Sequence, residues 1–305
     1  MGKKTVSLVL SSGGARGMAH IGVIEVLEES GYEIASIAGC SAGALIGGIY
    51  ATGQLPKFKD WICNLDRIDV FSLMDFTFSS KGFIKGEKVF GELKKLIEDC
   101  QIEDLNIPFC CTAVEIPSGK EKIFKSGSLY QAIRASGSIP SVMTPAKIGK
   151  HEYIDGGIIN PIPFNLITEK NRGELIVAVD LNGPKSELLQ IEKQDKKESA
   201  LKLPSWLNEY QKKFTNYFYT DEKQKETKKD KGMSSVELLN FSFDLLQDKL
   251  SDLVIEKHQV DIIVEISREQ AGTLEFHRAE ELIKVGRLKM EEAIKKFENG
   301  SQGTE

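Results

Sequence analysis

Two glycine-rich turns, each set between a short apolar run and a helical pattern, fall within the first 51 residues and constrain the fold more than any other feature of the chain. Residues 5–10 (TVSLVL) are apolar and β-branched with little alternation, as a strand buried on both faces requires. Residues 11–17 (SSGGARG) turn the chain. Residues 18–30 then place Val23, Ile24, Val26 and Leu27 on a helical stripe that Gly31 stops. Residues 34–38 form a second apolar strand, 39–43 a second tight turn, and 42–51 a helix of small residues suited to close packing on a sheet. This order predicts an α/β fold whose parallel sheet is covered by helices on both faces.

Farther along, residues 57–66 and 85–100 read as amphipathic helices, and the aromatic stretch 71–83 between them as loop. Residues 109–115 and 121–124 read as strands joined by a Pro-Ser-Gly turn, 128–136 as a short helix, and 152–154 as an apolar lead into Asp155-Gly156-Gly157. A buried strand is expected at 175–181, a helix at 234–253, a strand at 259–266 and a closing helix at 279–297. Between them, residues 185–232 hold 12 lysines and 9 acidic residues and read as an insertion into a single domain of residues 1–298, followed by a frayed tail at 299–305. Within the insertion, Trp206, Tyr210, Phe214 and Tyr217-Phe218 recur every three or four residues. Residues 203–219 are therefore expected to carry one aromatic face, either packed on the domain or laid on a lipid surface as a lid or interfacial helix.

A chain of 305 residues with net charge −5 has no basic footprint for nucleic acid. No apolar run approaches the roughly 18 residues of a membrane span, so the expected setting is cytoplasmic, with at most peripheral membrane contact. The cysteines (Cys40, Cys63, Cys100, Cys110, Cys111) are odd in number and irregular in spacing, and His20, His151, His258 and His277 form no metal-ligand pair. Reduced thiols, no metal and no cofactor are the expectation.

Gly39-Cys40-Ser41-Ala42-Gly43 has the spacing G-x-S-x-G. A serine on a sharp strand-to-helix turn exposes its hydroxyl, and the helix that follows aims N–H groups at developing negative charge. The earlier loop, Ser12-Gly13-Gly14-Ala15-Arg16-Gly17, offers backbone N–H groups to an anion. It is not a dinucleotide fingerprint, because Ser12 replaces the first glycine and the second strand ends in Gly39-Cys40 rather than an acid. No Lys-Ser or Lys-Thr follows, so a Walker loop fails too. An oxyanion hole beside Ser41 accounts for both loops, and a plain helix-entry turn is the bland alternative. A serine nucleophile needs a base. Asp155, on the tight Asp-Gly-Gly turn, is the leading candidate, although such a turn often has no chemistry at all. Its ordinary pKa of about 3.9 would rise in an apolar acyl pocket.

These three motifs, in this order, resemble the patatin-like phospholipase family. Residues 19–23 (AHIGV) and 276–281 (FHRAEE) look like its bacterial members and the related neuropathy-target-esterase catalytic domains. The resemblance spans roughly residues 4–297, less the insertion. It implies a three-layer α/β/α sandwich and a Ser–Asp dyad that hydrolyses lipid acyl esters without a catalytic histidine. Carried onto this chain, it implies nucleophile Ser41, base Asp155 and oxyanion donors from the backbone of Gly13, Gly14, Ala15 and Arg16. Gly17, Gly39, Gly43, Gly156 and Gly157 complete the motifs, and Ser12 departs from the usual glycine. The competing readings are a Ser–Asp–His α/β-hydrolase using His258 or His277, a thioesterase, and a non-enzymatic regulator with a relic site. Arg16 either binds a phosphate head group or anchors its own loop through a carboxylate.

Overall fold

The strand TVSLVL is β1 (Thr5–Leu10), and its residues are divided between two cores. In the computed structural model, which describes residues 4–79, 82–184, 189 and 235–301, Val6, Leu8 and Leu10 join one apolar cluster and Val9 joins another. Two-sided burial is why this strand shows no polar alternation. On its flanks lie β2 (Glu33–Cys40) and β9 (Leu175–Gly183), both parallel to it. Two further parallel strands, β5 (Phe109–Ile116) beside β2 and β10 (Ile262–Ser267) beside β9, extend the sheet. β6 (Glu121–Phe124) and β8 (His151–Asp155) each pair antiparallel with β5, and β7 (Ala146–Ile148) pairs antiparallel with β8. The sheet is therefore mixed: β10, β9, β1, β2 and β5 follow one another, and β8, with β7 beyond it, pairs with β5 farther along that strand than β2 does.

One helical layer contains α1 (Ala19–Glu29), α2 (Ala42–Ala51) and α8 (Ala279–Ser301), whose buried residues share the cluster of Leu8 and Leu10. The opposite face of β1 and β9 is covered by Phe164 and by Val254 and Ile255 of α7 (Ser235–Lys257). This is a three-layer α/β/α arrangement around a mainly parallel sheet. The two expected glycine turns and the helix over Ala42–Ala51 are present. The expected aromatic helix at 203–219 lies outside the described residues.

The stretch expected to be loop, residues 71–83, is corrected. Between α3 (Leu55–Asn64) and α5 (Glu87–Leu96) stand α4 (Arg67–Leu73) and an antiparallel hairpin of β3 (Phe76–Ser79) and β4 (Gly82–Ile84). α4 forms because Asp66 caps it: Asp66 Oδ1 accepts the N–H of Ile68 and of Asp69, both at 2.8 Å, and Asp69 Oδ2 accepts the Asp66 N–H at 3.0 Å. This reciprocal cap satisfies amides that a helix start leaves open. α6 (Leu129–Ser136) is capped by Ser128, whose hydroxyl oxygen accepts the Gln131 N–H.

Candidate active site

The strand ends that carry Ser41 and Asp155 meet on one edge of β5. β2 leaves that edge at Cys40, paired with Thr112. β8 arrives from the other direction and ends at Asp155, paired with Ala113. The far edge of β5 is occupied there by β6, with Ile123 opposite Thr112 and Lys122 opposite Ala113. β2 and β8 therefore share an edge and stop head to head, one residue of β5 apart. Sheet register alone brings together two residues that are remote in sequence.

Ser41 turns the chain from β2 into α2 with φ 53° and ψ −114°, a backbone conformation that costs a non-glycine residue about 1–3 kcal/mol. Two hydrogen bonds hold it there. Its N–H donates to Ser136 Oγ at 2.9 Å, and its C=O accepts the Leu45 N–H at 3.0 Å. Gly43 lets α2 enter against β1, since a Cβ at this position would lie 2.2 Å from the Leu10 carbonyl oxygen. Gly17 and Gly39 make the same kind of room beside Ala42 and Gly43, and Gly156 does so against Thr112.

Asp155 is 4% exposed. Its N–H donates to the Ser138 carbonyl at 3.0 Å, and its Oδ1 accepts the Gly157 N–H at 2.7 Å and, more weakly, the Cys40 thiol at 3.9 Å. Burial raises the Asp155 pKa to about 6, opposed by hydrogen bonding from Ser41, Gly157 and Cys40. Burial, with Asp155 beside it, also pushes the Cys40 thiol well above its ordinary range, so Cys40 stays a protonated donor. Asp155 Oδ2 is buried and meets no partner at full hydrogen-bond geometry. The Ser41 contact on this carboxylate is thus looser than a formed bond, and catalytic hydrogen bonds are often long in apo enzymes and tighten in the Michaelis complex. No histidine is among the groups that bond Asp155. His258 stacks on Phe164 and bonds the Val254 carbonyl, His151 pairs with Glu115, and His277 stands in the turn before α8.

The first glycine loop becomes a 3-10 turn, Gly14–Met18. Gly14 has φ +58°, and a Cβ on it would lie 2.6 Å from the Thr273 carbonyl oxygen. That same carbonyl accepts the Ala15 N–H at 2.8 Å, and Gly13 C=O accepts the Arg16 N–H at 3.2 Å. The four amides expected as donors, those of Gly13, Gly14, Ala15 and Arg16, divide into two pairs here. Ala15 and Arg16 are committed to the protein's own carbonyls, and the Gly13 and Gly14 amides are those without a partner among the described residues. Of the two expected roles of the Arg16 side chain, the structure shows the anchoring of its loop, with neutral acceptors in place of a carboxylate. Its guanidinium is buried and donates to the Leu181 carbonyl (2.9 Å), the Ala271 carbonyl (2.7 Å) and Asn182 Oδ1 (3.3 Å), so it anchors the loop through neutral acceptors. Burial lowers its pKa to about 10, which leaves it charged at neutral pH. Ser12 is held by its backbone, donating to Pro161 C=O at 2.9 Å and accepting from Asn182 Nδ2 at 3.1 Å. His20, whose pKa burial lowers to about 4, is neutral and braces the Ser11 carbonyl from 3.1 Å.

Ser41 and Gly14 open on a cavity of about 170 Å³ whose walls are almost entirely apolar, including Leu45, Phe58, Trp61, Met74, Phe90 and Leu274. One wall is the loop before α8. Arg278 fixes it by donating to Glu275 (2.7 Å) and Glu281 (2.9 Å), which accounts for the acidic and basic pattern FHRAEE. Sequence reasoning did not single out Ser136, Ser138 or Thr273. No local pattern marks them, because each acts on a residue from a distant element.

The sequence model of the patatin-like phospholipase family matches residues 8–167. An uncharacterised NTE family protein of Mycobacterium tuberculosis is 32% identical over 96% of this chain and 92% of its own length. Lysophospholipase NTE1 of Kluyveromyces lactis is 32% identical over 58% of this chain, a segment that makes up 13% of that protein. Patatin-like phospholipase domain-containing protein 6 of Homo sapiens is 30% identical over the same share of this chain and 13% of its own. With the sheet, the two glycine loops and the Asp-Gly-Gly turn in place, the chain belongs to the patatin-like phospholipase family.

Proposed function

We propose that this lipid ester hydrolase is of the phospholipase A or lysophospholipase type and works through a Ser41–Asp155 dyad. The observation that carries the reading is a serine hydroxyl acting on a buried carboxylate of raised pKa at the mouth of an apolar cavity. Asp155, ionised above about pH 6, takes the Ser41 proton as Oγ attacks the ester carbonyl carbon. The carbonyl oxygen gains the electron pair, and the Gly13 and Gly14 amides are the donors that meet it. Collapse breaks the bond to the alcohol portion, which leaves with the proton from Asp155. Water then attacks the acyl-enzyme with Asp155 again as base, releasing the fatty acid and restoring Ser41. The acyl chain lies in the apolar cavity, where each buried methylene contributes about 0.8 kcal/mol. The lysophospholipase and phospholipase names of the relatives support a lipid substrate. No helix among the described residues is long and apolar enough to cross a membrane. The aromatic, lysine-bearing pattern of residues 203–219 supports peripheral contact with a lipid aggregate.

A histidine triad is disfavoured, since no histidine bonds Asp155. The test is turnover of p-nitrophenyl acyl esters beside labelling by a fluorophosphonate probe. Ser41→Ala is expected to lose more than about 10³ in kcat/KM and all labelling. Turnover within tenfold of wild type would refute the nucleophile, and failure of the wild type to label would favour a relic site.

A further inference from the structure

The apolar cavity that opens at Ser41 adjoins a second, polar groove of about 770 Å³, and among the described residues Phe90 alone lines both. Phe90 sits in the first turn of α5, half-buried, with its N–H bonded to the Gly86 carbonyl at 3.1 Å. On the cavity side its neighbours are apolar, Val89 and Leu93 among them. On the groove side stand Lys85, Lys94, Arg134 and Lys147 with the acids Glu87 and Glu152. Neither Ser41 nor the first glycine loop reaches the groove. The Phe90 ring is thus a partition between a place where an alkyl chain gains free energy and one where it does not.

Two contacts keep the partition in place. Tyr130 meets the ring edge-on at 6.4 Å between centroids, and the Arg134 guanidinium lies 5.9 Å from its centroid. Arg134 is itself fixed, donating to Ser138 Oγ at 2.6 Å, Lys85 C=O at 2.7 Å and Thr144 C=O at 2.9 Å. A ring with an aromatic edge and an anchored cation against it is costly to swing aside.

We infer that Phe90 is the stop that sets the acyl-chain length this enzyme accepts. The inference rests on the reading of Ser41 as nucleophile and of the apolar cavity as the acyl site. The methyl end of a fitting chain abuts the ring, and a longer chain must either displace the ring or leave carbons outside the cavity. Neither outcome adds binding energy in the transition state, so specificity stops rising at that length.

The experiment measures kcat/KM for p-nitrophenyl esters from C4 to C16, each below its aggregation limit, in wild type, Phe90→Ala and Phe90→Trp. In wild type the value is expected to climb roughly fourfold per methylene and then break to a plateau or fall. Phe90→Ala joins the cavity to the groove and moves the break to longer chains, raising the C16-to-C4 ratio at least about tenfold, the worth of about two added methylenes. Phe90→Trp moves the break to shorter chains. Thermal unfolding checks that each variant is folded, and if the alanine variant is not, the direction of the tryptophan shift decides. A break at the same length in the folded variants, or a tryptophan shift toward longer chains, overturns the inference. Ser41-dependent turnover with an unmoved break removes this inference alone. Absence of any Ser41-dependent turnover removes the hydrolase reading and this inference with it.

Discussion

Ser41 and Asp155 are both kept in states that an unconstrained chain would avoid. The Ser41 backbone lies in a region that glycine enters freely and serine does not. Ser41→Ala and Ser41→Gly delete the same hydroxyl, but the second also relaxes the turn. Relief of about 1–3 kcal/mol outweighs the extra chain entropy of glycine. Ser41→Gly is therefore expected to be more stable than Ser41→Ala by about 1 kcal/mol in urea unfolding, and equal stabilities would show that the turn stores no strain. For Asp155 the folded pKa of about 6 lies above its ordinary value of 3.8. A raised folded pKa means that this group's contribution to stability is complete below about pH 4 and is lost as pH rises through 6. Asp155→Asn has no charge to bury, so at pH 8 it should be more stable than wild type by up to roughly 2–3 kcal/mol. The difference should vanish by pH 4. Melting curves across that range check it, and a pH-independent difference would contradict the burial argument. In the same window wild-type kcat/KM should rise through about pH 6 as the base ionises, while the asparagine variant stays inactive.

At the scale of elements, the residues that end α6 and follow it clamp Ser41 and Asp155 together. Ser136 Oγ receives the Ser41 N–H, and the Ser138 carbonyl receives the Asp155 N–H. Ser136→Ala leaves a buried amide unpaired, at a cost of about 1–3 kcal/mol. It is expected to lower kcat about tenfold or more with KM little changed, because the turn rather than the cavity is disturbed. Steady-state kinetics separates the two parameters, and a change confined to KM would contradict the role. None of this was legible in the sequence, where 128–136 reads only as a short helix. The legible parts are those whose signal is local. Continuous apolar runs gave β1, β2 and β9, since parallel strands buried on both faces need no alternation. Glycine spacing gave the two turns beside Ser41. The hairpin of β3 and β4 and the strand β7 are too short to show a period. α4 escaped because its signal is the pair Asp66 and Asp69, not an apolar stripe. The state of each amide in the first glycine loop is illegible for a different reason. Whether an amide is free depends on where the Thr273 carbonyl lies, on a loop remote from it in sequence.

Across the whole molecule, the two helical layers serve the two halves of the site. α2 follows Ser41 on one face, and α7 closes over the Asp155-Gly156-Gly157 turn from the other. Gln247 of α7 donates to the Gly157 carbonyl at 2.9 Å, while Arg268 pairs with Asp244 and Asp248 on the same helix. Since desolvation is the first cause of the raised Asp155 pKa, loosening this cover should lower it. Gln247→Ala is expected to shift the acidic limb of the pH–rate profile below about 6, toward 4, and an unmoved limb would mean that α7 does not keep water from the base. The head-to-head meeting of β2 and β8 has a consequence of another kind. The gap between Ser41 and Asp155 is gauged by one residue step of β5, Thr112 to Ala113, and owes nothing to the length of chain between them. The segments after α2 and before β5, which furnish nearly half of the residues lining the cavity, are thus a replaceable cartridge. Lengthening or exchanging them changes what the blade is offered and leaves the blade itself in alignment.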